Sequence, residues 1–283
     1  MEKIRKFLIP VFFNFPFLIT VFQVLRYYLG YIFYIYSILA NKPYNGGYMF
    51  SQQEVGRGRH GSIKKILNIL IQKNLKKKDK VIEILEIGSY CGESVLLIGN
   101  HLQKKNITFK ITCVDLWNIF PAERTNHFSQ EKINKNLKNG KIFNLFKYNL
   151  RKSNLLKNVK FIKGNSNKIL KKIKKKFHFI FIDGSHSYNY VCNDIKYSMR
   201  LLKNHGILTG DDYEQSYKES KHLNIKELIK DDIETIYDHK SRKNIHPGVT
   251  LAVHKYFGNI KNFNGLFVLQ LKNKKFKVMK KIN

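Results

Sequence analysis

The chain has 283 residues, 43% of them hydrophobic, which accommodates one catalytic domain of ordinary size and an additional N-terminal segment. Its three cysteines have no paired spacing, which excludes a disulfide framework or a cysteine-based zinc site and favours a reducing, cytoplasmic compartment. The formal net charge of +32 comes from lysines spread over nearly every predicted helix and loop, and no recognisable nucleic-acid motif accompanies them. We interpret this charge as a solvated lysine-rich surface, with nucleic acid or anionic lipid as the alternative partner.

The N-terminal segment is apolar and differs in kind from the rest of the chain. Residues 7–25 carry no charge and are long enough to span a bilayer, and basic residues precede them, as on a cytoplasmic side. Pro10 and Pro16 interrupt this stretch, and the tyrosines of residues 27–36 suit a membrane interface. We expect membrane association through residues 7–39, and the alternative is an arm buried in a homo-oligomer interface. The predicted division is an N-terminal arm (1–40), a linker (41–61) and a catalytic domain (62–283).

The first strand of the domain runs into a glycine turn. Apolar residues at helical spacing over 63–71 predict a leading helix, and residues 81–87 then read as a strand with Glu86 near its end. Gly88 and Gly92 follow, and a helix is predicted over residues 94–102. Such a turn lets a ligand lie against bare backbone at the carboxyl end of a strand. Every Rossmann-like fold needs a turn of this kind, so the turn alone does not identify a ligand.

The second predicted strand ends at an acid. Residues 107–114 alternate as a strand does and lead to Asp115, where a doubly wound fold places the carboxylate that binds the two ribose hydroxyls of an adenosine. The turn is not Gly-x-Gly-x-x-Gly, so a dinucleotide is not favoured. Trp117 follows closely and is interpreted either as a wall on the adenine side of the pocket or as simple packing.

Three further predicted strands continue the alternation of strands and helices. A strand over 158–164 precedes a helix over 166–176, a strand over 177–183 precedes a helix over 188–202, and a fifth strand is predicted over 206–212. Strands that alternate with helices predict a parallel sheet with crossover helices. The predicted fold class is therefore α/β, with a Rossmann-like, doubly wound and mostly parallel sheet plus an apolar N-terminal helical arm.

Carboxylates follow the fourth and fifth predicted strands. Asp183 ends the fourth strand, and Asp211 and Asp212 end the fifth. Strand ends of this kind converge on the ligand crevice, where three carboxylates repel one another unless a cation or a shared proton intervenes. A hard divalent ion, Mg²⁺ or Mn²⁺, suits a set of oxygen ligands. The alternative is that one carboxylate faces the crevice while the others cap the following turn or helix.

Two sets of motifs carry a family resemblance. Glu-x-Gly-x-x-x-Gly-x-Ser at 86–94 with Val-Asp at 114–115 resembles the class I S-adenosylmethionine-dependent methyltransferases. Asp-Gly-Ser-His-x-Tyr at 183–188, Gly-Asp-Asp-Tyr at 210–213 and His-Pro-Gly-Val at 246–249 are similar to the family 24 methyltransferases and to the macrocin O-methyltransferase and cephalosporin-hydroxylase-like groups. The resemblance covers roughly residues 63–257 and implies a seven-stranded sheet with helices on both faces and an antiparallel edge from residues 266–279. The sequence differs from the family at His205–Gly206, before the fifth predicted strand, where a pair of glycines is usual.

The resemblance also implies the ligands and the residues that bind them. S-adenosylmethionine would lie along the glycine turn and the second-strand acid, with Trp117 and Ser166 on its adenine side. The expected cofactor-binding residues are Glu86, Gly88, Ser89, Gly92, Ser94, Asp115, Trp117 and Ser166. Asp183, Asp211 and Asp212 would bind Mg²⁺ (or Mn²⁺), which in the macrocin-type enzymes holds two vicinal sugar oxygens.

Methyl transfer to an alcohol needs a positioned acceptor and a group that removes its proton. His186 follows Asp183 by three residues and is our leading catalytic base, with helix capping as its alternative; His246 is the second candidate, on a predicted substrate loop. We expect an O-methyltransferase acting on a sugar, a glycan or another small hydroxylated acceptor. The alternatives are a nucleic-acid methyltransferase and a non-catalytic, membrane-tethered cofactor-binding protein.

Overall fold

The computed structural model describes residues 16–44, 57–75, 81–119 and 128–279. Their largest element is a seven-stranded sheet with the order β3-β2-β1-β4-β5-β8-β9. The first five strands are parallel, and β8 and β9 add an antiparallel edge, as predicted. The strands are β1 (Ile82–Ile87), β2 (Phe109–Asp115), β3 (Val159–Lys163), β4 (Phe177–Ile182), β5 (Leu202–Gly210), β8 (Phe267–Lys272) and β9 (Lys275–Val278).

Two apolar cores cover the two faces of this sheet. Side chains alternate between the faces along a strand, so Ile82 and Ile84 of β1 belong to one core, and Leu85 and Ile87 to the other. All six residues of β4 are buried, as expected of a central strand covered on both faces. The helices that supply the covering are Arg57–Leu75, Glu93–Lys104, Phe128–Lys138, Lys141–Lys152, Ser166–Lys172, Tyr188–Leu201 and Pro247–Phe257. The short helix Ile225–Lys230 packs against Pro247–Phe257.

The leading helix, Arg57–Leu75, begins inside the segment that the sequence assigned to a linker. Ile66, Leu67 and Leu70 are fully buried, which agrees with the helical spacing seen in the sequence. Residues 45–56 of the predicted linker lie outside the described residues.

Several elements between and after the strands were not predicted. They include the helices Phe128–Lys138 and Lys141–Lys152, and a small second sheet in which β6 (Ile236–Asp238) pairs antiparallel with β7 (Lys243–Ile245). The segment that follows β7 forms the helix Pro247–Phe257, which packs against Tyr188–Leu201.

The backbone conformation at His205 explains how the chain can differ from the family pattern at His205–Gly206. His205 has a φ of 66°, the left-handed conformation that glycine adopts at least cost. It lies where the register between β4 and β5 is irregular, and its carbonyl oxygen accepts a hydrogen bond from the Gln270 side chain at 3.1 Å. The chain therefore makes this turn with His205, at a position where the resemblance predicts a glycine.

The N-terminal helix Pro16–Leu39 lies against the domain by one face. The Tyr44 hydroxyl donates to the Gly30 carbonyl at 3.1 Å, and the Tyr148 hydroxyl to the Lys42 carbonyl at 3.0 Å. The opposite face is apolar and exposed, and it includes Leu25, Leu29, Ile32, Phe33, Tyr36 and Leu39. Among the described residues no helix is long and apolar enough to cross a membrane, and residues 7–15 of the predicted apolar stretch lie outside them.

Candidate active site

The glycine turn brings the ends of two central strands into direct contact. Gly88 has a φ of 84°, and a Cβ atom there would lie 1.8 Å from the carbonyl oxygen of Asp183. The Asp183 N–H in turn donates to the Ile87 carbonyl at 2.7 Å. Glycine is required at position 88 because both the backbone conformation and the available space exclude a side chain. The predicted cofactor turn and the predicted metal acid are therefore neighbours.

Asp115 holds the glycine turn through backbone hydrogen bonds. Its Oδ2 atom accepts from the N–H groups of Ser89 and Tyr90, both at 2.8 Å, and its Oδ1 atom accepts from the Trp117 N–H at 2.5 Å. Burial raises the pKa of Asp115, while these hydrogen bonds act in the opposite direction. The acid that sequence reasoning assigned to a ribose thus also shapes the loop on which a cofactor would lie.

Glu86 is a fully buried carboxyl group beside this loop. It accepts a hydrogen bond from the Ser94 hydroxyl, and burial raises its pKa to about 8. Its Oε2 atom has no hydrogen-bond partner among the described residues. A buried acceptor without a partner is costly, and a ligand that carries a donor or a positive charge would relieve that cost. On this ground the residues of the turn fit a cofactor with an ammonium group.

Trp117 and Ser166 face other parts of the protein in this structure. The Trp117 ring is buried among Phe143, Phe146 and Phe161, and its Nε1 atom donates to the Tyr90 carbonyl at 2.9 Å. Ser166 is the first residue of the helix Ser166–Lys172, and its hydroxyl hydrogen-bonds the buried Asp194 carboxyl, whose pKa burial raises to about 7. Their contact with the adenine stays a prediction.

The three acids at the ends of β4 and β5 come together as the sequence predicted. One carboxylate oxygen from each of Asp183, Asp211 and Asp212 lies within 4.8 Å of the others. Burial, together with the neighbouring acids, raises the pKa of Asp183 well above its ordinary value and that of Asp211 to about 7. The set offers only oxygen ligands, which is the donor set that Mg²⁺ and Mn²⁺ prefer, so these residues fit such an ion.

Arg59 is a member of this site that sequence reasoning missed. Its Nη1 atom lies 2.7 Å from Asp211 Oδ2 and 3.5 Å from Asp212 Oδ1, and its Nη2 atom lies 3.1 Å from Glu214 Oε1. Gly265 makes room for it, because a Cβ atom there would lie 2.8 Å from the arginine Nε atom. The guanidinium group therefore balances part of the negative charge that the acids bring together.

His186 pairs with Asp212, with 2.9 Å between Nε2 and Oδ2. Burial lowers the pKa of His186, but the Asp212 carboxylate outweighs this effect and raises it to about 9. Although burial opposes it, the pKa of Asp212 is lowered by His186, His246 and Arg59. In this arrangement His186 keeps its proton at neutral pH, and it can act as a base only when the charge of Asp212 is engaged elsewhere.

His246 is the second histidine of the site and is almost completely buried. It is the N-cap residue of the helix Pro247–Phe257 rather than part of a loop, and Pro247 occupies the first helical position, where its missing N–H costs nothing. The His246 ring lies 4.5 Å from the His186 ring, measured between centroids. The sequence named each histidine separately but gave no sign that the two would meet.

Comparison with known proteins agrees with this geometry. Residues 85–213 match the model of a protein family described as a methyltransferase domain. No curated protein matches the chain. Among solved structures, the O-methyltransferase NovP is 14% identical over 80% of this chain and 84% of its own, with a TM-score of 0.51, and shares the fold.

Other similar structures are more distant. An O-methyltransferase from Bacillus cereus is 15% identical over 74% of this chain and 70% of its own, with a TM-score of 0.42. TomG from Streptomyces achromogenes is 11% identical over 72% of this chain and 67% of its own, with a TM-score of 0.43. The chain spans only 63% of the length of two further structures that it matches. The family match runs from within β1 to just past β5, the part of the sheet that carries the glycine turn and the three acids, so this part of the chain is similar to a methyltransferase domain.

Proposed function

We propose that this protein is an O-methyltransferase that depends on a divalent ion and acts on a hydroxyl group of a sugar, a glycan or another small hydroxylated acceptor. The observation that carries the proposal is the convergence of Asp183, Asp211 and Asp212 beside the glycine turn. We assign the activity to residues 62–283 and propose a cytoplasmic location, which is consistent with three buried cysteines that are free thiols.

The cofactor would be bound by the turn after β1 and by the acid after β2. S-adenosylmethionine supplies an electrophilic methyl group. The unpartnered Glu86 oxygen would provide an acceptor for the ammonium group of its methionine part, and Gly88 and Gly92 give the turn its shape through their positive φ angles. Asp115 lies at the carboxyl end of β2, where it would bind the ribose while it holds the Ser89 and Tyr90 N–H groups. Ser94, Trp117 and Ser166 complete the proposed cofactor-binding set.

Asp183, Asp211 and Asp212 would hold Mg²⁺ or Mn²⁺. Such an ion lowers the pKa of a bound hydroxyl and fixes the orientation of the acceptor. Arg59 now pairs with two of these acids, so it would have to withdraw from them. Glu214, its third partner, remains available to keep the guanidinium group close to the site.

The acceptor must also lose a proton. His186 and His246 lie side by side next to Asp212, and either can take that proton when its ring is neutral. His186 is the more exposed of the two and remains our leading base, since a base must be reached by the acceptor.

The proposal is tested with the full-length protein, labelled cofactor and a panel of sugar nucleotides and glycans, with and without chelator. We expect transfer to vanish in chelator and to return with Mg²⁺ or Mn²⁺. Asp183→Asn and Asp212→Asn should lose turnover far more than they lose cofactor affinity in calorimetry, because the ion acts on the acceptor. Asp231→Asn removes an exposed acid outside the site and should behave as the wild type. Full activity in excess chelator, with normal turnover by Asp212→Asn, would instead support catalysis by proximity alone.

We further propose that the N-terminal segment (residues 7–39) associates with a membrane surface. The helix Pro16–Leu39 packs on the domain by one face, where Tyr27 and Tyr34 lie against the core, and it turns its apolar face outward. Lys42 lies beside this helix, 6.0 Å from the Tyr36 ring centroid. An exposed apolar face with basic neighbours suits the surface of an anionic membrane.

A further inference from the structure

A second group of possible metal ligands shares one residue with the three acids. His186, Asp212 and His246 each offer a ligand atom, and these atoms lie within 4.8 Å of one another. Two of the three ligands are imidazoles, and they come from different parts of the chain: His186 follows β4, while His246 precedes the helix Pro247–Phe257. The chemistry of this group therefore differs from that of the acids next to it.

The histidine pair is built into the fold. A Cβ atom at Gly248 would lie 2.1 Å from the His186 carbonyl oxygen and 2.7 Å from the Tyr188 nitrogen. Only glycine permits this approach, which sets the start of the helix against the segment after β4. The result is a separation of 4.5 Å between the two imidazole centroids.

His246 is a buried imidazole beside two acids. Its Nδ1 atom lies 3.3 Å from Glu214 Oε2, a contact that orients the ring, and 3.8 Å from Asp212 Oδ1. Its Nε2 atom is buried and has no hydrogen-bond partner among the described residues. A buried nitrogen without a partner costs free energy, and coordination of an ion would remove that cost.

We propose that His186, Asp212 and His246 form a site for a divalent transition-metal ion. Imidazole nitrogen favours Zn²⁺, Co²⁺ or Cu²⁺, whereas Mg²⁺ prefers an all-oxygen set. The two groups share Asp212, so they differ in the kind of ion they select while lying next to each other. This inference goes beyond the proposed function, because the binding of such an ion does not require methyl transfer.

The test uses untagged, full-length protein stripped of metal and titrated with Co²⁺, with its absorption bands as the signal. We expect His186→Ala and His246→Ala to weaken Co²⁺ binding by about tenfold or more, as loss of a ligand should. His222→Ala is the matched control: His222 pairs with Asp238 at 2.9 Å and is 31% exposed, as His186 is with Asp212, but it lies outside the site. It should bind Co²⁺ like the wild type.

Electron paramagnetic resonance of the Cu²⁺-loaded protein provides a direct readout of the ligands. We expect nitrogen couplings in the wild type, fewer in each single variant and none from imidazole in the double variant. His246→Gln, which preserves volume and polarity, serves if His246→Ala fails to fold. A wild-type spectrum without nitrogen coupling, or equal Co²⁺ affinity in all variants, would overturn the proposal. Neither outcome bears on methyl transfer, which is measured separately with Mg²⁺ and the acid variants.

Discussion

At the scale of single residues, Glu86 carries an energetic cost that depends on pH. Its carboxyl group is fully buried, and its pKa is raised from 4.5 to about 8. Below pH 4.5 the folded and unfolded states both hold the proton, so this group does not make stability depend on pH. Between 4.5 and about 8 the unfolded state has released the proton and the folded state retains it, so folding becomes less favourable as pH rises, by at most about 1.4 kcal/mol per pH unit.

Replacing this residue with its neutral analogue should remove that dependence. We expect the free energy of unfolding of Glu86→Gln to exceed that of the wild type by a margin that grows with pH across this window. Thermal unfolding at a series of pH values measures it, with Glu227→Gln, an exposed glutamate, as the control. A constant difference between Glu86→Gln and the wild type at all pH values would contradict the assigned protonation.

Some residues of the site could be predicted from the sequence, and others could not. The acids after β2, β4 and β5 were found because the carboxyl ends of parallel strands must meet at one edge of the sheet. Arg59 was not found, since it is one of 52 lysines and arginines and nothing in its sequence context marks it. The meeting of His186 with His246 depends on the space that Gly248 leaves, which is a property of packing and is absent from sequence spacing.

At the scale of elements, the long strands and helices were predictable and the short ones were not. β4 is apolar at every position except His178, and such a nearly continuous apolar run is a strong signal of a central strand. β6 and β7 have three residues each, too few for a period to be recognised. The segment after His246 was interpreted as a loop because its proline and glycine suggest a turn, but proline is also favoured at the first position of a helix.

The N-terminal helix gives a prediction at this scale. Leu29→Glu combined with Ile32→Glu places two charges on its exposed apolar face and should abolish the flotation of full-length protein with vesicles that contain anionic lipid. Leu156→Glu is a fair comparison, because Leu156 is also an exposed leucine but lies far from this helix in the chain, and it should float like the wild type. If the wild type does not bind vesicles but forms dimers that the double variant disperses, the helix is an oligomer interface.

At the scale of the whole molecule, positive and negative charges are distributed unevenly. Of the 20 acidic residues, a sizeable share lies buried or partly buried at the site: Glu86, Asp115, Asp183, Asp194, Asp211, Asp212 and Glu214. The remaining surface is therefore even more basic than the net charge of +32 indicates, while the site itself is acidic. A polyanion would be attracted to the outside of the protein and repelled from its reacting centre.

Because of this charge distribution, we expect nucleic acid to bind to the surface of the protein without being methylated at the site. We expect a duplex oligonucleotide to bind weakly, to lose affinity steeply as salt rises, and to receive no methyl groups. Cofactor affinity should change little over the same salt range, because its proposed ligand Glu86 is buried and Asp115 is partly buried. Fluorescence anisotropy with the oligonucleotide and calorimetry with the cofactor measure the two effects. Metal-independent methyl incorporation into the oligonucleotide would support a nucleic-acid methyltransferase.

The contact between Arg59 and the acids has a consequence for how the protein would respond to ions. The guanidinium group acts as an internal competitor, so a cation must bind the acids more strongly than the arginine does before it can occupy the site. Weakly attracted ions at low concentration are then rejected, and the charge of the site stays balanced without them. Arg59 belongs to the first turn of the helix Arg57–Leu75, so arrival of an ion would leave Glu214 as the acid that holds this turn at the site. Ion occupancy would thus change which acids anchor the start of this helix.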